Sequence, residues 1–121
     1  QAEDGIRDSV ASRGLGDVYK RQIEMPVSWS QDDHPHFEMT DTRPGHRNAN
    51  SVMENWVDDF IYMTRCTDWG IITYTCHPYV IGRGHRMLML ERFITRLREL
   101  GAQFMRMDHA ARAYDERHPY L

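Results

Sequence analysis

Two short stretches of this chain concentrate side chains able to move protons or hold ions. They are Trp29-Ser30-Gln31-Asp32-Asp33-His34-Pro35-His36 and His77-Pro78-Tyr79-Val80-Ile81-Gly82-Arg83-Gly84-His85-Arg86. In the first, Asp32, Asp33, His34 and His36 carry carboxylate and imidazole donors of the kind that suit zinc, iron or manganese. The spacing is weak evidence for a metal, because His34 and His36 serve equally well as solvated residues or hydrogen-bond partners, the reading favoured here. Asp32 and Asp33 can cap a loop; one aspartate orienting another side chain fits better than paired acid–base work. In the second stretch, Pro78 fixes the turn after His77, and an imidazole so placed can donate a proton to a leaving group near neutral pH. The alternative is a structural histidine satisfied by the backbone. Arg83 and Arg86 offer forked donors for an anion or carboxylate, or else they clamp loop carbonyls or pair with Asp32 or Asp33. His85 is expected to start a helix and face solvent, and Met87 and Met89 to fill a core or an interface. No nucleophile elbow or phosphate-binding loop is present, Gly82-Arg83-Gly84 being too short, so nucleophilic and nucleotide chemistries are set aside.

The surrounding pattern predicts elements that would bring the two stretches together. Ile23, Met25, Val27 and Trp29 alternate with Glu24, Pro26 and Ser28, the period of a strand, with Pro26 placing it at an edge or bulge. Ser51 and Glu54 have capping-box spacing and open a helix with Val52, Trp56 and Phe60 on its apolar face, which Gly70 is placed to end. Ile71 to Cys76 is a β-branched and aromatic run that reads as a buried parallel strand. A second helix carries Met87, Leu90, Phe93, Ile94, Leu97 and Leu100, with Gly101 as its stop. Gln103 to Met107 reads as a third strand, and Asp108 as the cap of a last helix through Tyr114, ended by Pro119. Three strand-then-helix units argue for the α/β class with parallel strands, whose functional side chains gather at the strands' carboxyl ends. Three such strands do not close a barrel, so a fragment is expected.

Composition bounds the rest. At 121 residues, 40% hydrophobic and 27% charged, the chain has the length of one domain and is too rich in core formers for a disordered tail. A net charge of −3 offers no dense positive field, so neither nucleic acid nor an anionic membrane surface is an expected partner. There is neither an apolar run of membrane-spanning length nor a secretory-signal layout. Cys66 and Cys76 lack a CxxC partner and fit reduced thiols. Residues 1–22 stand apart: they contain no His, Met, Trp, Phe, Pro or Cys, and their charges cancel, so the whole −3 belongs to residues 23–121. The run GIRDSVASRGLGDVYKRQ resembles a translated adaptor. Residues 1–22 are therefore expected to be a disordered segment foreign to the natural protein.

The string Tyr74-Thr75-Cys76-His77-Pro78-Tyr79-Val80-Ile81-Gly82-Arg83-Gly84-His85-Arg86, followed by Leu90-Glu91-Arg92-Phe93-Ile94, resembles the C-terminal part of NodB-homology polysaccharide deacetylases. Val27-Ser28-Trp29-Ser30-Gln31-Asp32-Asp33 resembles the preceding strand in the branch that includes cytoplasmic peptidoglycan-deacetylase-like proteins, allantoinase-like proteins and cyclic-imide hydrolases. The resemblance covers residues 23 to about 118. It implies the last three βα units of a deformed (β/α) barrel, in a parent that hydrolyses non-peptide carbon–nitrogen bonds with one divalent metal, zinc or similar. It further implies a cytoplasmic parent acting on an amino sugar or on a small cyclic amide or ureide. Independently, the Met- and aromatic-rich helices leave room for a subunit interface, so a homo-oligomeric parent is allowed. By this match His77 takes the place of the histidine acid. Trp29, Asp32 and Asp33 match the part that lines the pocket and orients catalytic groups, and Arg83 and Arg86 match loop-support or substrate-contact positions.

The family's metal-binding motifs of the Thr-Phe-Asp-Asp and His-x-x-x-His types, and its Arg-x-Pro motif, do not occur before Ile23. The expectation is that this chain alone binds no catalytic metal and has no turnover. The competing expectation is a small non-catalytic binding or interaction module that uses Trp29, Asp32 and His77 as its pocket.

Overall fold

The computed structural model describes residues 22–25 and 27–119. In chain order its elements are a 3-10 turn at Trp29–Gln31, α1 (Asp33–Phe37), α2 (Ala49–Cys66), α3 (Pro78–Ile81), α4 (Gly84–Glu99) and α5 (Met107–Arg117). The chain divides into two units, residues 26–105 and the remainder, to which α5 belongs. Except for Gln22, the segment 1–22 expected to be a disordered, foreign arm lies outside the described residues, as does Pro26. No helix among the described residues is long and apolar enough to cross a membrane.

The two long helices form where apolar side chains recur at three and four. Val52, Trp56 and Phe60 are buried along α2, and Met89, Phe93 and Leu97 along α4. The two faces pack together, with the Trp56 and Phe93 rings 5.5 Å apart, and Phe37, Val80 and Ile81 from α1 and α3 complete the core. The α2 helix starts before the expected Ser51: the Asn48 carboxamide oxygen accepts from the N–H groups of Asn50 (3.0 Å) and Ser51 (3.2 Å) and caps the helix there. It ends at Cys66, where Thr67 N–H closes on the Met63 carbonyl, short of Gly70. The stop after α4 falls at Gly101 as the sequence predicts. With φ at +89°, Gly101 donates to Arg98, and Ala102 donates to Leu97, a paired closure that a side chain at Gly101 would strain.

The α/β expectation is overturned. Among the described residues there is no strand and no sheet, so the chain is not three βα units of a (β/α) barrel. Among the described residues one parallel bridge forms: Thr75 N–H donates to the Gln31 carbonyl (2.8 Å), and Asp33 N–H donates to the Thr75 carbonyl (3.0 Å). It cannot extend, because the 3-10 turn precedes Asp32, α1 starts immediately after it, and Pro78 opens α3 three residues past Thr75. Alternating or β-branched residues make a strand only where a neighbouring strand offers a ladder and a packed surface. At the third expected strand, Phe104 and Met105 are exposed and Met107 is already helical. Asp108 is not the cap of α5; it lies in the first turn, which suits a carboxylate, and pairs with Arg106 and Arg112.

Candidate functional site

Two segments meet at the Asp32–Thr75 bridge, and both are anchored on α2. The Trp56 indole N–H donates to the Ser30 carbonyl (2.7 Å), which also lies 2.9 Å from His36 Nε2. The Gln31 side chain donates to Asp59 (2.5 Å), and the Tyr74 hydroxyl donates to the Trp56 carbonyl (2.7 Å). Burial and the Asp59 carboxylate push the Tyr74 phenol above its ordinary range, which keeps that donor protonated. Asp32 caps α1, its Oδ1 accepting from His34 N–H (2.8 Å), and the turn places Asp33 in the interior as the first residue of α1.

Asp33 is fully buried, and both of its carboxylate oxygens meet His77. Oδ2 accepts from the His77 backbone N–H at 2.8 Å, and Oδ1 lies 2.6 Å from His77 Nδ1. Asp32 Oδ1 stands 3.7 Å from the same nitrogen. The hydrogen bond to Asp33 raises the His77 pKa above 6.5; partial desolvation opposes this, and the charges of Asp33 and Asp32 add to the rise. With Nδ1 committed to Asp33, Nε2 is the ring atom left for exchanging a proton with a ligand. His34 stands edge-on to the imidazole and Tyr79 is tilted against it, their ring centroids 5.8 and 5.7 Å from that of His77.

The structure thus brings Asp32, Asp33 and His77 together across 44 residues of sequence. It does not draw the other expected site residues into this contact. Trp29 is 77% exposed, and Arg83 is an exposed residue at the N-terminus of α4. Arg86 is buried and donates to the Val80 carbonyl at 2.7 Å. Tyr79 was not among the expected site residues; its one signal is its place two residues after His77. Cys76 neighbours the site and presents surface to solvent. Even so, burial of its thiol and the Asp33 and Asp32 carboxylates push its pKa up to about 11. Cys76 should therefore be alkylated by iodoacetamide much more slowly in the native chain than in urea at about pH 8.5, where an ordinary thiol is half ionised. Equal rates, read by mass spectrometry, would remove this shielding.

Donor atoms of Asp32, Asp33 and His77 lie within 4.8 Å of one another, and their chemistry is one a metal ion accepts. Their present arrangement does not fit a metal centre. The 2.6 Å between Asp33 Oδ1 and His77 Nδ1 is a hydrogen-bond distance, and the other Asp33 oxygen is taken by a backbone N–H. The geometry defines an imidazole–carboxylate pair in which Nδ1 meets Asp33 and Nε2 lies outside that contact.

Over 101 residues, 80% of its length, the chain is 26% identical to a Helicobacter pylori protein named peptidoglycan deacetylase, a distant relationship to deacetylases. It spans about a third of that relative, 34%. No family model matches the chain, and no solved structure matches it significantly.

Proposed function

We propose that this chain is part of a hydrolase of non-peptide carbon–nitrogen bonds, of the polysaccharide-deacetylase type, in which His77 protonates the departing nitrogen. The observation that carries the reading is the buried Asp33 carboxylate holding His77 at both its backbone and its Nδ1. Amide cleavage expels an amine, a poor leaving group unless protonated as the bond breaks. A histidine whose pKa is raised by a carboxylate keeps that proton to a higher pH than an ordinary histidine does. Asp33 orients the ring, Asp32 adds charge and holds the turn, and the exposed face of Trp29 is available to a sugar or a flat cyclic amide. The deacetylase named above supports the same class. A divalent metal, zinc or similar, would polarise the carbonyl and its bound water. We assign its ligands to another part of the whole protein, since Asp33 and His77 are committed to each other.

The test compares the 121-residue chain with the whole protein of its reading frame. The whole protein is expected to release acetate from N-acetylglucosamine oligomers, or to open hydantoin-like rings, only with metal present, and the isolated chain to do neither. Hydrolysis by the isolated chain would overturn the division of labour. Binding of these ligands by the whole protein without turnover would replace the enzyme reading with a binding module.

A further inference from the structure

Arg86 is a buried cation, 3% exposed, and no carboxylate pairs with it among the described residues. A guanidinium taken out of water without a counter-charge is costly, so its contacts must hold it in place. One terminal nitrogen donates to the Val80 carbonyl at 2.7 Å. The other lies 3.5 Å from both the Phe37 carbonyl and His46 Nδ1, and the guanidinium carbon sits 4.6 Å from the centre of the buried Phe37 ring. Val80 belongs to α3, and its own N–H donates to the His77 carbonyl at 2.9 Å. Phe37 closes α1, one helical turn after Asp33 opens it. The Arg86 fork therefore grips the far end of each short helix whose near end carries one half of the Asp33–His77 pair. We propose that Arg86 is a positioning residue that sets the register of α1 against α3, and so the contact between Asp33 and His77.

A lysine at this place keeps the charge and loses the fork: a single ammonium cannot span both carbonyls while stacking on Phe37. Keeping the charge matters, because removing a cation would by itself raise the pKa of a neighbouring imidazole and mask the effect. The groups facing His77 are Asp33, Asp32, His34 and Tyr79, and the Arg86→Lys substitution alters none of them. The experiment follows the His77 ring by NMR through a pH titration of the full chain. In folded Arg86→Lys the His77 titration is expected to move down toward 6.5, its ordinary value. Leu97→Ala, which opens the same core about 16 Å further along α4, is expected to leave it in place. An unmoved titration in Arg86→Lys, or an equal shift in Leu97→Ala, would falsify the positioning role. Should Arg86→Lys not fold, Phe37→Leu, which removes the ring beneath the guanidinium, is read the same way: a lowered titration supports the role and an unmoved one overturns it. The shift concerns the Asp33–His77 contact alone, so it survives failure of the hydrolase reading. With that reading, Arg86→Lys in the whole protein also lowers kcat and leaves KM near its original value.

Discussion

In the whole protein, His77→Ala is expected to lower turnover about 10²-fold or more while metal content stays near that of the original protein. The reasoning starts from commitment of atoms. His77 Nδ1 is spoken for by Asp33, so under the proposed function the imidazole contributes the proton on Nε2 rather than a bond to a metal. Removing the ring removes the acid and leaves the water-activating machinery intact. Loss of metal together with activity would show that His77 is a ligand and that its bond to Asp33 is not the working arrangement.

The same pair has a signature in pH. The Asp33 hydrogen bond is the chief reason the His77 pKa is raised, so an acid at this position works up to a higher pH than an ordinary histidine. In Asp33→Asn the alkaline fall of kcat should move to lower pH, since the proton leaves His77 earlier. Stability carries the matching sign. A folded pKa above the unfolded value means that protonated His77 contributes its full stabilisation below about 6.5, and that this contribution is lost as pH rises through the folded pKa. The melting temperature should decline over that window in the original chain and show a weaker decline in His77→Ala.

How far the residues foretold this arrangement differs by element. Helices α2 and α4 are written in the four-residue recurrence of Val52, Trp56 and Phe60 and of Met89, Phe93 and Leu97, and Gly101 marks an end because only its backbone accepts the turn. The start of α2 differs from the one the capping-box spacing predicts because Asn48 and Ser51 are both good caps, and only the folded loop decides which one reaches free N–H groups. The strands failed for a deeper reason. Ile71 to Cys76 has a strand's composition, but a ladder is a property of two chains side by side, and here the partner turns into helix after a single bridge. For the site, Asp33 and His77 could be picked out by residue type, whereas their contact across 44 residues has no trace in local spacing. Arg86 shows the same limit. Its forked donors were consistent with an anion, an aspartate or a carbonyl, and burial against Phe37 and Val80 selects the carbonyl.

Trp56→Ala is expected to cost the chain about 3–5 kcal/mol, the range for truncating a large buried aromatic. Trp56 is fully buried between Tyr74 and Phe93, with ring centroids 5.5 Å from each, so the cavity left behind has walls contributed by α2, α4 and the segment leading to His77. The indole also holds the Ser30 carbonyl, and the backbone of Trp56 holds the Tyr74 hydroxyl; those two bonds tie down the segments that end in Asp33 and His77. Trp56→Phe separates the two contributions. It keeps most of the apolar volume and loses the N–H bond to Ser30, for an additional cost of about 1 kcal/mol typical of one hydrogen bond. Urea denaturation of the three chains measures both steps. Because a domain of this size is stable by only about 5–15 kcal/mol, Trp56→Ala should remove a large fraction of that stability and lower the urea midpoint accordingly. A loss below about 1 kcal/mol would mean that α2 does not pack on α4 through this ring. It would also remove the support by which one helix holds both halves of the Asp33–His77 pair.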